Sequence, residues 1–461
     1  MSGIALIITF VAAIVLMVTA ISRWKVHPFL SILGVSLLLA IVVGLPLDTI
    51  PATVGKGFSS IFASIGLVII FGTLIGMVLE KTGAAVRLAD SVLKVVGPKH
   101  PQLAMLLIGW IVSVPVFCDS GFVILNPIRK SLTYKTRVPA ASMVVALSAG
   151  LITSHVFIPP GPGPLGAAGL IGMEDNLLII IGLGTLVSAF ALVPAYFFAL
   201  RAGRKVRTSE DDEMASIQEG EDNYAKALAS YGKLPSLAAS LAPIIVPIVL
   251  IAAASVISTL GSKGPVQTVL LFLGKPVIAL IAGFLCCLPL LHSTGRMKDL
   301  SDITNDCLKT AGPIIFVTAA GSVLGQVIVE AGFVTYIQEH AGVLSAIGVF
   351  FPFLIAAILK SAQGSSTVAM TTTAGIMGAF SESGTLMAAL GMTDPISAAL
   401  VIMAIAAGAI TVSHANDSYF WVVTGFGGIS AGDGYRTQTL VTLIEGITSI
   451  VVIFVLSLMI C

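Results

Sequence analysis

Thirteen apolar runs leave this chain little choice of solvent. They lie near residues 4–22, 28–46, 60–79, 102–118, 138–158, 177–200, 236–259, 268–291, 311–329, 343–359, 364–380, 396–413 and 438–460. A helix crossing a hydrocarbon core of about 30 Å needs about 20 mostly apolar residues. Charged residues make up 10% of the 461 and hydrophobic ones 56%, whereas soluble domains carry about 25% charged residues. Water cannot be the solvent for that much apolar side chain. The pattern predicts an all-α polytopic membrane protein with about 11–14 membrane segments.

The run from Ile4 to Ile21 has no basic residue before it, and Arg23 and Lys25 follow it. A cleaved signal has the opposite order, so this run reads as the first span. Threaded with the N-terminus outside, the loops at 23–27, 81–101, 129–137, 201–235 and 292–310 fall inside with 2, 4, 4, 6 and 3 basic residues. Arg436 brings the inside total to 20 of 24, which leaves only Lys56, Lys263, Lys275 and Lys360. This positive-inside bias predicts an inner-membrane protein with both termini periplasmic. Net charge is +1, which gives no field for nucleic acid. The five cysteines, Cys118, Cys286, Cys287, Cys307 and Cys461, have neither disulfide nor metal-ligand spacing, so no metal or cofactor is expected.

The two halves echo each other. Gly72 and Gly76, with Gly83 beyond them, match Gly321 and Gly325 with Gly332 beyond them. Ala149-Gly150 and Thr153-Ser154-His155 match Ala407-Gly408 and Thr411-Val412-Ser413-His414, with one inserted residue. Between each pair lies a polar break in apolar sequence. In the threading the halves run oppositely, and inverted repeats with paired broken helices mark secondary transporters. The expected organisation is N-terminal scaffold helices over 1–59 and a first repeat over 60–200 with a hairpin near 119. A cytoplasmic linker over 201–235 and connecting helices over 236–310 follow. The second repeat, over 311–461, has its hairpin near 364.

Four polar clusters interrupt the apolar sequence and are the candidate substrate site. The first is Asp119-Ser120-Gly121, a carboxylate at membrane depth that must face a cavity or a partner such as Arg129. The second is Ser154-His155 followed by the Pro159–Pro164 break with Gly161. Pro and Gly there free backbone groups for a ligand, and a histidine suits proton carriage. The third is Gln363-Gly364-Ser365-Ser366-Thr367, continuing into Thr371-Thr372-Thr373. A helix starting there aims its positive end at an anion. The fourth is Ser413-His414-Ala415-Asn416-Asp417-Ser418, where Asp417 and His414 are placed to share a proton or bind a cation. Asp119, His155, His414 and Asp417 are the proton-coupling candidates. Glu80, Glu330 and Lys360 rank lower, because span-end charges usually reach the interface by snorkelling. Walker, His-Glu-x-x-His, dinucleotide-glycine and Gly-x-Ser-x-Gly motifs do not occur, which argues against a nucleotide-driven pump and a serine hydrolase.

His27-Pro28-Phe29-Leu30, Gln363-Gly364-Ser365-Ser366-Thr367-Val368-Ala369-Met370 and the string from Ser413 to Trp421 resemble the gluconate permease (GntP) family of bacterial proton symporters across the whole chain. The resemblance implies the ion-transporter superfamily fold, with hairpin tips around one central site. It also implies proton-driven uptake of a sugar acid or a related hydroxy acid, and relatives of this kind are commonly dimers. The chain has Phe117-Cys118-Asp119-Ser120-Gly121 where gluconate carriers usually show Phe-Val-Glu-Val-Gly, and Gly161 where they show a histidine. The expectation is a non-enzyme that imports a small carboxylate by proton symport. A sodium-coupled carboxylate or D-amino-acid transporter of the same architecture is the alternative, ahead of a passive channel or a membrane enzyme.

Overall fold

The computed structural model describes residues 4–97, 99–212, 234–260, 264–332, 348–414 and 417–460. Among these the regular structure is all helical. Proline sets φ near the helical value and needs no amide donor, so it opens several helices. The N-terminal set is α1 (Ile4–Ser22), α2 (Pro28–Val42) and α3 (Ile50–Ile61). A π-helical turn then leads into α4 (Leu67–Lys81) and α5 (Ala84–Val96). A hairpin follows, α6 (Pro101–Val112) and α7 (Cys118–Thr136), then the broken pair α8 (Ala140–Phe157) and α9 (Pro162–Ile171), and the long α10 (Leu177–Lys205). After the short α11 (Ser209–Asp212) come α12 (Leu237–Leu260), α13 (Pro265–Leu273), α14 (Pro276–Ser293) and α15 (Leu300–Glu330). The second half holds a second hairpin and a second broken pair. Its hairpin is α16 (Phe350–Gln363) with α17 (Ser366–Met377). Beyond α18 (Leu386–Ala389), the broken pair is α19 (Pro395–Ile410) and α20 (Ser418–Phe426). Finally α21 (Ala431–Arg436) leads to the long α22 (Gln438–Ile460).

Among the described residues, six helical stretches are long and apolar enough to cross a bilayer by length and composition, and α4 with α5, bent by 71°, makes a seventh if counted as one span. Five more apolar helices, among them α2, α6, α16 and α19, have only 10–17 residues. Glycine and proline divide the apolar sequence into these shorter pieces. The run expected at 268–291 is one such case: Gly274 ends α13 and Pro276 begins α14. The linker expected over 201–235 also starts later than its composition implies. Helix α10 continues to Lys205, and Glu210 on α11 is clamped by Arg129 at 2.7 Å and Lys130 at 3.1 Å. Residues 213–233 lie outside the described part.

The stretch Ala140–Ile171, which is α8 and α9 together, is 100% buried over its most apolar window. Protein therefore surrounds the first broken pair on every side, the only setting in which irregular backbone is tolerated at membrane depth. Large apolar side chains stay exposed on the outer helices, for example Ile8, Val11 and Val15 on α1 and Val451, Val455 and Leu458 on α22. These form the face that lipid covers.

The echoed glycines are where helix backbones meet. A Cβ on Gly150 of α8 would stand 2.0 Å from the Leu106 carbonyl oxygen of α6, and one on Gly408 of α19 would stand 2.2 Å from that of Phe353 on α16. In each half, the first arm of the hairpin therefore lies directly on the helix that precedes the break. Gly76 likewise abuts Pro115 at the first hairpin turn, and Gly325 abuts Gly375 on the second hairpin. The repeated residues thus repeat a packing contact. Gly408→Val should separate α16 from α19 and lower stability by at least about 1–3 kcal/mol. Gly34→Ala, with nothing within 4 Å of its Cβ, should be neutral or slightly stabilising. Thermal unfolding of the two variants in detergent checks this contrast.

Candidate functional site

Four helices begin at the breaks: α7 after Phe117, α9 after Gly161, α17 after Ser365 and α20 after Asp417. The sequence dictates each start. Pro159 and Pro160 have no amide hydrogens and cannot extend α8, while Pro162 opens α9. Gly364 takes the left-handed conformation (φ +88°) that ends α16, which glycine adopts without Cβ strain. Ser365 then caps α17, its hydroxyl accepting from the Val368 amide at 3.3 Å. Asp417 caps α20, accepting from the Tyr419 amide at 3.0 Å.

These four starts touch in a closed circle. The Phe117 ring of the first hairpin lies 5.7 Å from the His155 ring at the end of α8. The Ser418 hydroxyl at the start of α20 donates to Asp119 at the start of α7 at 3.2 Å. Lys360, on the first arm of the second hairpin, donates to Asp417 at 2.6 Å and also to the Gly364 carbonyl. The circle closes where Gly163 of α9 meets Thr367 and Met370 of α17: a Cβ there would stand 3.6 Å from the Thr367 Cα. Each hairpin tip therefore meets both broken pairs.

The Lys360–Asp417 pair is the strongest charge contact in this circle. Its side chains are 1% and 5% exposed. Ser413 donates a second hydrogen bond to the same carboxylate oxygen at 2.6 Å. These charges lie within electrostatic range of Asp119 and His155. Beside them a small cavity of about 10 Å³ is lined by Thr73, Phe117, His155, Gly161 and neighbours. The buried Thr73 hydroxyl has no hydrogen-bond partner among the described residues.

The structure brings most of the candidate residues near one another, with several differences. Asp119, Ser154, His155, Gly161, Gly364, Ser365, Ser366, Thr367, His414, Asp417 and Ser418 lie on the four starts or the ends that face them. Ser120 bonds Glu80, which brings that lower-ranked carboxylate to the first hairpin. Gly121 is buried against Leu151 of α8. Gln363 ends α16 with its side chain outside the described atoms, and Asn416 lies outside the described residues. Asp119 does not pair with Arg129, which Glu210 and Asn126 take instead. Asp417 and His414 do not share a proton in this structure, since Asp417 goes to Lys360 and the His414 ring nitrogen lies 3.1 Å from the Ser361 carbonyl. Thr371, Thr372 and Thr373 are at most 1% exposed and sit where α17 packs on Gly321 of α15, so they are packing residues. Lys360 is the principal correction. Ranked as a snorkelling span-end charge, it is in fact buried at the centre.

With this geometry in view, the comparisons with known proteins are decisive. The GntP family permease profile matches residues 4–459. The chain belongs to the GntP permease family. It is 31% identical to the inner membrane permease YgbN of Escherichia coli K12 over 98% of both chains. It is 26% identical to the gluconate permease of Zymomonas mobilis ZM4, again over 98% of both. Among solved structures it resembles the YdaH transporter of Alcanivorax borkumensis, described as having an unusual topology, with a TM-score of 0.63. That match has 15% identity and covers 93% of this chain and 98% of the other, and it speaks for the fold alone. The chain is a multi-pass inner-membrane permease, and its role is transport rather than catalysis.

Removing one member of a buried ion pair strands the other charge and costs about 3–5 kcal/mol, whereas removing both is often close to neutral. Lys360→Met and Asp417→Asn should each lower thermal stability by that order. The double variant should recover most of it, because asparagine still caps α20. Melting curves of the three variants test the pairing.

Proposed function

We propose that this permease imports a small sugar acid of the gluconate type by proton symport, with the circle of four helix starts as its binding site. The carrying observation is the buried Lys360–Asp417 pair at the junction of hairpin tip and broken helix. Helix N-termini direct amides and a positive dipole end at an anion, and Lys360 adds a full positive charge for a carboxylate. Ser120, Ser365, Ser366, Thr367 and Ser418 supply hydroxyls able to exchange hydrogen bonds with a polyol chain. The gluconate permease of Zymomonas mobilis supports the substrate class.

Proton coupling is favoured over sodium for a specific reason. A sodium ion would need oxygen ligands such as a main-chain carbonyl and a carboxylate. At the second hairpin those two oxygens, Gly364 O and Asp417 Oδ2, already hold the Lys360 ammonium. A titratable pair takes the place of a cation site there. Asp119, His155 and His414 are further candidates to move the proton. In this reading residues 60–200 and 311–461 are two inverted repeats that move against a scaffold of 1–59 and 236–310. Both termini are periplasmic, and the transporter works as a homodimer.

Labelled gluconate should accumulate in proteoliposomes under an inward proton gradient, and a protonophore should collapse the accumulation. Replacing sodium with choline should leave uptake unchanged. Asp417→Asn should abolish gradient-driven uptake. Uptake that needs sodium, or normal uptake by Asp417→Asn, overturns the proposal.

A further inference from the structure

A second buried carboxylate lies away from the circle and plays no part in the reading above. Glu445 sits on α22 and is 0% exposed. It shares one face of that helix with Gln438, Thr442 and Ser449, all 0% exposed. Their spacing of four, three and four residues makes a stripe about 16 Å long. The stripe begins at the substrate site. The Ser413 amide donates to the Thr442 hydroxyl at 2.9 Å, and the Ser413 hydroxyl donates to Asp417. Ser148 of α8 donates to Gln438, and Thr153 of α8 lies against Glu445.

Among the described residues, Thr153 is the side chain that hydrogen-bonds Glu445. The Thr153 hydroxyl oxygen is 2.7 Å from the Ala149 carbonyl and 2.7 Å from Glu445 Oε1. A threonine has one hydroxyl proton. It is shared between the two acceptors, with Thr153 the donor to the Glu445 carboxyl. Burial favours the neutral acid, because a buried carboxylate with no opposite charge beside it is costly. Glu445 Oε2 has no hydrogen-bond partner among the described residues, nor do Gln438 Nε2 and the Ser449 hydroxyl on the same face. Buried polar atoms left open in this way call for a partner such as a water or an exchanging proton.

The neighbouring helices bring no charge to replace that proton. From α8 comes His155, from α16 Lys360 and from α20 Tyr419; α19 offers no titratable side chain. Helix α10 carries Tyr196 and, near its end, Arg201, Arg204 and Lys205, while α21 carries Asp433, Tyr435 and Arg436 ahead of α22. Of these, only Tyr419 is in electrostatic reach of Glu445.

We propose that Glu445 is a proton-binding site of the transport cycle, separate from the sugar-acid site and joined to it by the buried stripe of α22. The inference rests on the proton-symport reading. In that threading α22 leads from the cytoplasmic side outward, so Glu445 and Ser449 lie between the circle and the periplasm, where an imported proton arrives. The proton binds the carboxylate from outside. It is released inward when the site turns, and the net result is one H⁺ moved with the substrate.

Proteoliposomes with wild type, Glu445→Gln and Glu445→Asp separate the possibilities. Glutamine mimics a carboxyl that cannot release its proton. It should keep exchange of labelled for unlabelled gluconate near the wild-type rate while losing at least tenfold of the protonophore-sensitive accumulation. The aspartate variant should restore part of that accumulation. Accumulation by Glu445→Gln equal to wild type overturns the inference and leaves the proposed function standing. Loss of exchange in both variants also overturns it, since Glu445 is then structural. If wild type moves no gluconate, the proposed function fails instead. The inference is then read by infrared spectroscopy of the purified protein at neutral pH. A protonated-carboxyl stretch present in wild type and missing from Glu445→Gln supports it, and no such difference overturns it.

Discussion

Helix ends inside a bilayer are the constraint on which the rest of this structure depends. Each break leaves several amides or carbonyls without intrahelical partners, and lipid offers none. The fold places four helix starts together at the centre, wraps them in protein and ties them to each other through side chains. Lys360 shows the economy of this arrangement. One ammonium satisfies the Gly364 carbonyl that ends α16 and neutralises the Asp417 carboxylate that caps α20. Breaks that would be intolerable singly become a polar interior collectively.

The glycine contacts make that interior possible. Gly150 and Gly408 let a hairpin arm lie on the helix before each break at backbone distance. Larger residues would push the hairpins outward and pull their tips away from the centre. This explains why the echo between the halves is strongest at small residues and weak elsewhere. Close backbone approach constrains the residue to glycine, whereas lipid-facing positions accept almost any apolar side chain.

Much of this was legible in the sequence, for that reason. Polar residues in apolar sequence mark all four breaks, and the paired glycines mark two close helix contacts. Lys360 was misjudged because snorkelling assumes that the helix end reaches the interface. Helix α16 has 14 residues, about 21 Å, against a core of about 30 Å, so its end lies at depth. A second apolar run beginning a few residues later was the available sign of a hairpin. The clamp of Arg129 on Glu210 was hidden differently, since a charged stretch after a span reads as solvated linker until a partner is placed beside it.

Glu445 is hard to read from sequence for the opposite reason. It is the one ionisable residue in the 23 residues of α22, where the polar residues are spread at helical spacing rather than run together. Yet an isolated carboxylate in the middle of a membrane helix is costly, and such residues persist chiefly where they face the protein interior and serve a pathway. Its partner Thr153 lies on a different helix, α8, and meets it only once the chain is folded. The division is physical. Groups that bind the substrate need clustered polarity and broken backbone, which sequence displays. A group that carries a proton needs only burial, one hydrogen-bond partner and freedom from compensating charge, and those are properties of packing.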